Sequence, residues 1–453
     1  MLNMTSKPKI IVLDDDPTGS QTVHSCLLLT RWDVDTLLLG LADDSPIFFV
    51  LTNTRALPAD QAAAVTREVC HNLKTAIAAS GIQDFLIVSR SDSTLRGHYP
   101  IETDVITEEL GPFDAHFLVP AFFEGGRITR DSVHYLIIDG VPTPVHETEF
   151  ARDSVFSYQH SYLPNYVEEK TQGRISAEAV ERFLLENVRT GSLERLLHLT
   201  NNQCAVVDAE TQADLNRFAK DVLTAASQGK RFLFRSAASI LTALAALPPQ
   251  SVPAEEMWQY VRGGKPGAVI VGSHVKKTTQ QLEQLLQAGV VSIEVEVVQL
   301  LDDSLKQHAL LLTQTIEKVH AAHDSGKTPV VYTSREELVF ADVQTRLQFG
   351  ADVSSLLMDI VRGLPADIGF LISKGGITSN DVLSNGLALT CARLLGQILP
   401  GCSIVLTPDS HPQFPNLPVV LFPGNVGDAD ALVTIYNRLS QKRDPHPPMP
   451  ELI

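Results

Sequence analysis

Lys9-Ile10-Ile11-Val12-Leu13 runs without interruption into Asp14-Asp15-Asp16-Pro17-Thr18-Gly19. A short apolar, partly β-branched run bounded by turn formers reads as a buried strand, and the acidic stretch as the loop leaving its carboxyl end. The pattern returns three times. Ile47–Leu51 leads into Thr52-Asn53-Thr54-Arg55, and residues 84–88 lead into Ser89-Arg90-Ser91-Asp92-Ser93-Thr94-Leu95-Arg96-Gly97-His98. Ala115–Val119 leads towards Glu124-Gly125-Gly126-Arg127. Between these runs the period changes. Val65, Val69, Leu73 and Ile77 recur every four residues within 58–80, with Gly81 as a stop signal. Pro100 opens a second amphipathic pattern, through Ile101, Val105, Ile106 and Leu110, closed by Gly111-Pro112. Strands alternating with helices predict parallel βαβ units.

The second half repeats the alternation. Strands are predicted at 268–271, 291–297, 329–333, 368–372, 403–406 and 418–421, and helices at 279–288, 305–322 and 430–439. Between the halves, Leu247-Pro248-Pro249 to Gly267 reads as a linker. The expected fold class is therefore α/β: two α/β domains with mainly parallel sheets, residues 1–247 and 268–453 joined by 248–267, with the active site in the inter-domain cleft. From 139 to 173 periodicity fails, and the segment reads as a hairpin and a long irregular crossing, either a surface loop or a segment with a lid or interface role.

A chain of 453 residues is long enough for two or three domains at roughly 100–200 residues each. With 44% hydrophobic and 20% charged residues it has none of the biases of collagen, coiled coil or wholesale disorder. Its longest apolar stretch, around 237–247, falls short of the ~20 residues that cross a bilayer. Met1 to Lys9 leads directly into the first strand, so no signal peptide, no membrane partner and a cytoplasmic location are expected. The net charge of −17 argues against a nucleic-acid partner. An anionic ligand would need a local positive site built against the field of the whole chain. Cys26, Cys70, Cys204, Cys391 and Cys402 are odd in number and widely spaced, so reduced, mostly buried thiols are expected.

Ligands of open α/β sheets bind beyond the carboxyl ends of the strands. Any one polar cluster there can be turn or capping chemistry. Three in register on one edge supply carboxylates, guanidiniums, hydroxyls and amides, which a small polyhydroxylated carboxylic acid would need, with arginine for its carboxylate. In the second half the strand ends are Gly272-Ser273, Lys374-Gly375-Gly376-Ile377-Thr378 and Pro423-Gly424-Asn425-Val426-Gly427. Glycine admits backbone amides close to phosphate oxygens, and the last two runs open helices, so this edge reads as a nucleotide pocket.

Other motifs fail. Ser325-Gly326-Lys327-Thr328 ends like a phosphate-binding loop, but residue 321 is Ala and a strand follows where a helix is required. No dinucleotide fingerprint follows the first strand, which counts against a dehydrogenase, and neither a nucleophile elbow nor a zinc-protease motif occurs. The scattered histidines offer no metal-ligand spacing, and metal ligands stay unassigned.

Asp15-Asp16-Pro17-Thr18-Gly19, Asn53-Thr54-Arg55-Ala56 and Asp92-Ser93-Thr94-Leu95-Arg96-Gly97 together resemble the four-carbon acid sugar kinases. Pro120-Ala121-Phe122, Gly126-Arg127, Glu147 to Ala151, Val207 to Thr211, Gly375 to Thr378 and Gly424 to Asp430 follow in family order, so the resemblance spans nearly the whole chain. It implies an ATP- and Mg²⁺-dependent kinase phosphorylating a hydroxyl of a threonate, erythronate or 3-oxo-tetronate. Substrate contacts would come from Asp16, Arg55, Asp92, Ser93, Thr94, Leu95 and Arg96, with Asp16, or its neighbour Asp15, as catalytic base. ATP would be held by Ser273, Gly375, Gly376, Ile377, Thr378, Gly424, Asn425 and Gly427. A small-molecule sugar acid is the expected partner, and a homodimer is compatible with the reading. The rival from another class is a sensor that binds sugar acid and nucleotide without turnover; an ATP-consumption assay separates the two.

Overall fold

Lys9–Asp14 forms β1, buried except at its first residue, between β3 (Ile47–Leu51) and β4 (Phe85–Arg90). Runs that are apolar on both faces belong in a parallel sheet covered on both sides, and that is where these strands lie. The computed structural model describes residues 8–301, 304–335, 338, 340, 342–424 and 426–441. The chain divides into two units, Met1–Gln250 with Thr390–Gly396, and Ser251–Leu389 with Gln397–Ile453. Residues 390–396, expected with the second domain, thus fold with the first.

In the first unit β2 (Leu27–Leu29), β5 (Ala115–Val119), β9 (Glu181–Phe183), β10 (Gln203–Val207) and β11 (Phe232–Ser236) complete a sheet of order β2-β3-β1-β4-β11-β5-β10-β9. Every neighbouring pair in that order is parallel. A small antiparallel sheet joins β6 (Arg127–Arg130), β7 (Val133–Ile138) and β8 (Val141–Pro144). Helices Ala59–Ser80 and Ile101–Leu110 cover one face of the large sheet, Val69, Leu73 and Ile106 packing in one cluster with Ile11, Leu13, Phe48 and Val50. Gly81 ends the longer helix at φ 73°, the left-handed stop its position predicts.

Register places the site. Asp14 pairs with Leu51 on one side and Arg90 on the other, and Arg90 pairs with Ser236. Four strands therefore end on one level, and their loops start side by side.

The segment 139–173 is no loose surface loop. Its first residues close the expected hairpin with β7, and Val145, Ala151, Tyr158, Leu163, Tyr166 and Val167 share a buried cluster with Leu95 and Tyr99.

The second unit contains β12 (Ala268–Val271), β13 (Val291–Val295), β14 (Pro329–Thr333), β15 (Leu371–Lys374), β17 (Cys402–Leu406) and β18 (Pro418–Phe422), and β16 (Cys391–Leu399) begins in the first unit and ends in the second. The order β13-β14-β12-β15-β18 is parallel, and β17 joins β18 antiparallel, so the sheet is mixed but mostly parallel. The first residues of β16, Cys391 to Arg393, pair antiparallel with β2 of the first unit's sheet. The strand expected at 368–372 begins three residues later, at Leu371, and ends at Lys374. Part of the expected linker is folded, with 3₁₀ turns at Ala254–Tyr260 and Arg262–Gly264. The cysteines are unpaired thiols, buried except for the partly exposed Cys391. Among the described residues no helix is long and apolar enough to cross a membrane.

Candidate functional site

The acidic run at the end of β1 splits by depth. Asp14 is wholly buried, Asp15 is 2% exposed, and the Asp16 side chain keeps 22% of its surface in solvent. Asp14 stands 3.4 Å from the Nη1 of Arg90, and its Oδ2 has no hydrogen-bond partner. Burial pushes its carboxyl up to about 8, against the pull of Arg90 and with the repulsion of Asp15 and Asp16. Asp15 accepts from Nε and Nη2 along one edge of the Arg55 guanidinium and from Ser91 Oγ at 3.0 Å. Arg55 also donates through Nη1 to Asp16 Oδ2 at 3.1 Å and lies 3.9 Å from Asp92. Burial works to raise Asp16, but Arg55, Arg90 and the two hydrogen bonds from Thr18 outweigh it, so this carboxylate titrates below its ordinary range.

The loop after β4 is held by every part of its backbone. His134 Nε2 donates to Ser93 O at 2.7 Å, Tyr158 Oη to Thr94 O at 2.7 Å and Tyr166 Oη to Leu95 O at 2.8 Å, and Ser91 Oγ lies 3.0 Å from Arg96 O. Burial keeps His134 neutral, its pKa lowered to about 4, so Nε2 carries the proton and Nδ1 faces the Thr129 hydroxyl at 3.0 Å. With its carbonyls turned to the protein, the loop presents side chains at the strand ends. Asp92 accepts from Thr94 N, Thr94 Oγ1 and Arg96 Nε, the last at 2.9 Å. Burial opposes ionisation of Asp92, and Arg55 and Arg96 overcome it, holding the carboxyl well below the usual range. Arg96 reaches Asp153 at 3.5 Å and lies over the Phe150 ring. Asp16, Arg55, Asp92, Thr94 and Arg96 thus form one connected network at one sheet edge, with Asp15 behind it. Ser93 and Leu95 belong to the same loop, Leu95 at φ 68° and buried with Tyr158 and Tyr166.

In the second unit the ends of β12, β15 and β18 meet around Ser273. Thr278 Oγ1 donates to Ser273 Oγ at 3.1 Å and lies 3.1 Å from Gly424 O. Gly375 has φ 123°, and a Cβ there would stand 3.1 Å from both Ser273 Cβ and Thr378 Oγ1. A Cβ at Gly424 would stand 3.3 Å from Ser273 Oγ. The space these two glycines keep open between backbone and hydroxyls suits phosphate oxygens. Ile377, in the same run, is 70% exposed. Gly427 serves its own turn: Gln281 Nε2 clasps the carbonyls of Val426 and Asp428, and a Cβ at 427 would strike Ala431 at 2.4 Å. Asn425 lies outside the described residues.

Two family descriptions match the chain, "Sugar-binding N-terminal domain" over residues 10–244 and "Nucleotide-binding C-terminal domain" over 268–432. The chain belongs to the four-carbon acid sugar kinase family. It is 24% identical to the D-erythronate kinase of Heliobacterium modesticaldum, covering 96% of this chain and 97% of that one. Identity to the D-threonate kinase of Bordetella bronchiseptica is also 24%, over 96% and 98% of the two chains. The crystal structure of Haemophilus influenzae protein HI1011 shares the fold, with a TM-score of 0.62 at 18% identity over 95% of this chain and 100% of that one.

Sequence reasoning did not single out three basic side chains that lie at these strand ends in this family member. Arg235, at the end of β11, is buried against Glu102 and donates to Ser89 Oγ at 2.8 Å, with its Nη2 unpartnered behind Gly97. In the second unit Lys374 is fully buried, with Nζ 2.6 Å from Pro423 O and 3.7 Å from the centre of the Phe422 ring, and burial lowers its pKa to about 7. Arg335 Nη1 donates to Ser273 O at 2.7 Å. Two of these have a signal that was open to use: a lone charge inside an apolar run, Arg235 in Phe232–Ser236 and Lys374 at the end of Leu371–Lys374.

Proposed function

We propose that this protein is an ATP-dependent kinase that phosphorylates a hydroxyl of a four-carbon sugar acid such as a threonate, erythronate or 3-oxo-tetronate. The observation that carries the reading is the Asp16–Arg55–Asp92–Arg96 network, at the strand ends of the unit matching the sugar-binding family. Asp16, Arg55, Asp92, Ser93, Thr94, Leu95 and Arg96 would line the sugar-acid pocket, and Ser273, Gly375, Gly376, Thr378 and Gly424 would hold the phosphates. Bound ATP supplies the phosphoryl group, and Mg²⁺ neutralises its charge. Asp16, the most exposed of the three aspartates and held by Arg55 and Thr18, would orient the attacking hydroxyl and accept its proton. Asp15 is already claimed by Arg55 and Ser91, and would fix the guanidinium. Among the described residues no group of three or more His, Cys, Asp and Glu side chains is arranged to hold a metal, so Mg²⁺ would be carried mainly by phosphate oxygens and water. The reading carries with it an active site in the inter-domain cleft of the loaded enzyme, where a hydroxyl and a phosphoryl group can meet with water excluded.

The test is ADP formation from MgATP against a panel of erythronates, threonates and their 3-oxo relatives. Acid-dependent turnover supports the reading. Tight binding of both ligands without turnover would make the protein a sensor instead.

A further inference from the structure

The arginines of the substrate edge differ in what they already hold. Arg55 is paired with Asp15 and Asp16, Arg90 with Asp14 and Asp15, Arg96 with Asp92 and Asp153, and Arg235 with Glu102. A guanidinium whose fork is occupied by carboxylates presents little net field, and an incoming anion must displace or share those partners. Arg127 is different. Among the described residues it has no carboxylate within ion-pair reach, although it follows directly from the loop that leaves β5. Its Nη1 donates to Gly125 O, the guanidinium lies 6.0 Å from the centre of the Phe122 ring, and its buried Nε has no partner. A Cβ at Gly125 would stand 2.1 Å from Nη1, so the missing side chain there is what lets the fork lie against the backbone. Burial lowers the pKa of Arg127, with Asp92 and Arg96 next in influence, which places it in the field of the substrate loop. The residue as a whole remains partly exposed. A cation desolvated without a counter-ion is costly, and the arrival of an anion relieves that cost.

We propose that Arg127 is the specificity-determining residue for the substrate carboxylate: the paired arginines shape the pocket, and Arg127 selects acid over alcohol. This rests on the sugar-acid reading given above.

The test compares a tetronate with the tetritol of the same stereochemistry, each with MgATP, in the wild type, Arg127→Met and Arg127→Lys. Loss of one charge-assisted hydrogen bond corresponds to about a 10- to 100-fold higher KM for the acid. In Arg127→Met that loss is expected with the KM for ATP and the turnover of tetritol retained, so the preference for acid over alcohol collapses. Arg127→Lys should fall between, keeping the charge without the fork. Equal losses for acid and alcohol, or an unchanged acid KM in the folded variant, overturn the assignment. Should Arg127→Met fail to fold, a wild-type acid-to-alcohol ratio in Arg127→Lys overturns it. A wild type that neither binds nor phosphorylates any tetronate defeats the sugar-acid reading itself, and the assignment with it.

Discussion

Gly19 lies so close to Asp14 that a Cβ on it would stand 1.9 Å from the carboxylate Oδ1. The turn after β1 closes over the buried carboxyl only because residue 19 has no side chain. Gly19→Ala must push the turn or Asp14 aside, an overpacking that costs about 1–3 kcal/mol. Since Asp16 and Thr18 belong to the same turn, the variant should show both a lower unfolding midpoint and a lower kcat. A variant with wild-type stability and turnover would mean the turn moves freely.

The pH dependence of stability should carry the mark of Asp14. Its carboxyl is raised from 3.8 to about 8 by burial. Its contribution is therefore fully present below 3.8, declines as pH rises and is lost above about 8. Asp14→Asn, a mimic of the protonated form, should flatten that part of the profile. Denaturant midpoints of both proteins on either side of pH 8 measure the difference, and parallel profiles would contradict it.

Asp16→Asn should keep the fold and ATP binding while lowering kcat at least about a hundredfold, the scale of general-base loss. Asp14→Asn should cost far less turnover. Because Arg55, Arg90 and Thr18 hold Asp16 below its ordinary 3.8 against the effect of burial, the midpoint of its loss of function on acidification should lie below that value. Initial rates of the three proteins across acid pH decide the matter.

Tyr158→Phe and Tyr166→Phe each leave a buried loop carbonyl without its donor, at a cost of about 1–3 kcal/mol. The loop carries Asp92 and Arg96, so the KM for the sugar acid should rise while that for ATP stays put. A fall in stability with both KM values unchanged would make the tyrosines purely structural.

Gly375→Ala should weaken ATP binding and spare the sugar acid. The backbone there stands at φ 123°, where a side chain is strained by about 1–3 kcal/mol, and the added methyl would crowd Ser273 and Thr378. Calorimetric titration with ATP and with the acid, done separately, reads the two effects.

What the sequence made legible follows from how locally each feature is encoded. Ile47–Leu51, Ala115–Val119 and Pro329–Thr333 form as read because each is a short, mostly apolar run without a permanent charge. β11 is hidden by the charge of Arg235, β16 by Arg393 and Gln397, and β2 by having only three residues. The polar clusters at the strand ends stood out for the same local reason. Their supports did not, since Tyr158, Tyr166 and His134 lie 64, 71 and 41 residues from the carbonyls they hold. No spacing rule connects positions so far apart. The aspartates illustrate a second limit: adjacent in sequence, they differ in burial and in ionisation because the register of β1, not composition, sets which of them faces inward.

Cys391 to Arg393 lie antiparallel beside β2, and Arg393 holds Asp43 at 2.6 Å. The first unit is therefore not complete when the chain leaves it at Gln250; its border strand arrives about 140 residues later, after most of the other unit. A fragment ending at the connecting segment would carry Leu27–Leu29 as a bare hydrophobic border, the kind that recruits foreign strands. Inheritance feels the same constraint, because recombination at that junction would deliver a sugar-binding module lacking its selvage. The two modules have to travel through evolution together.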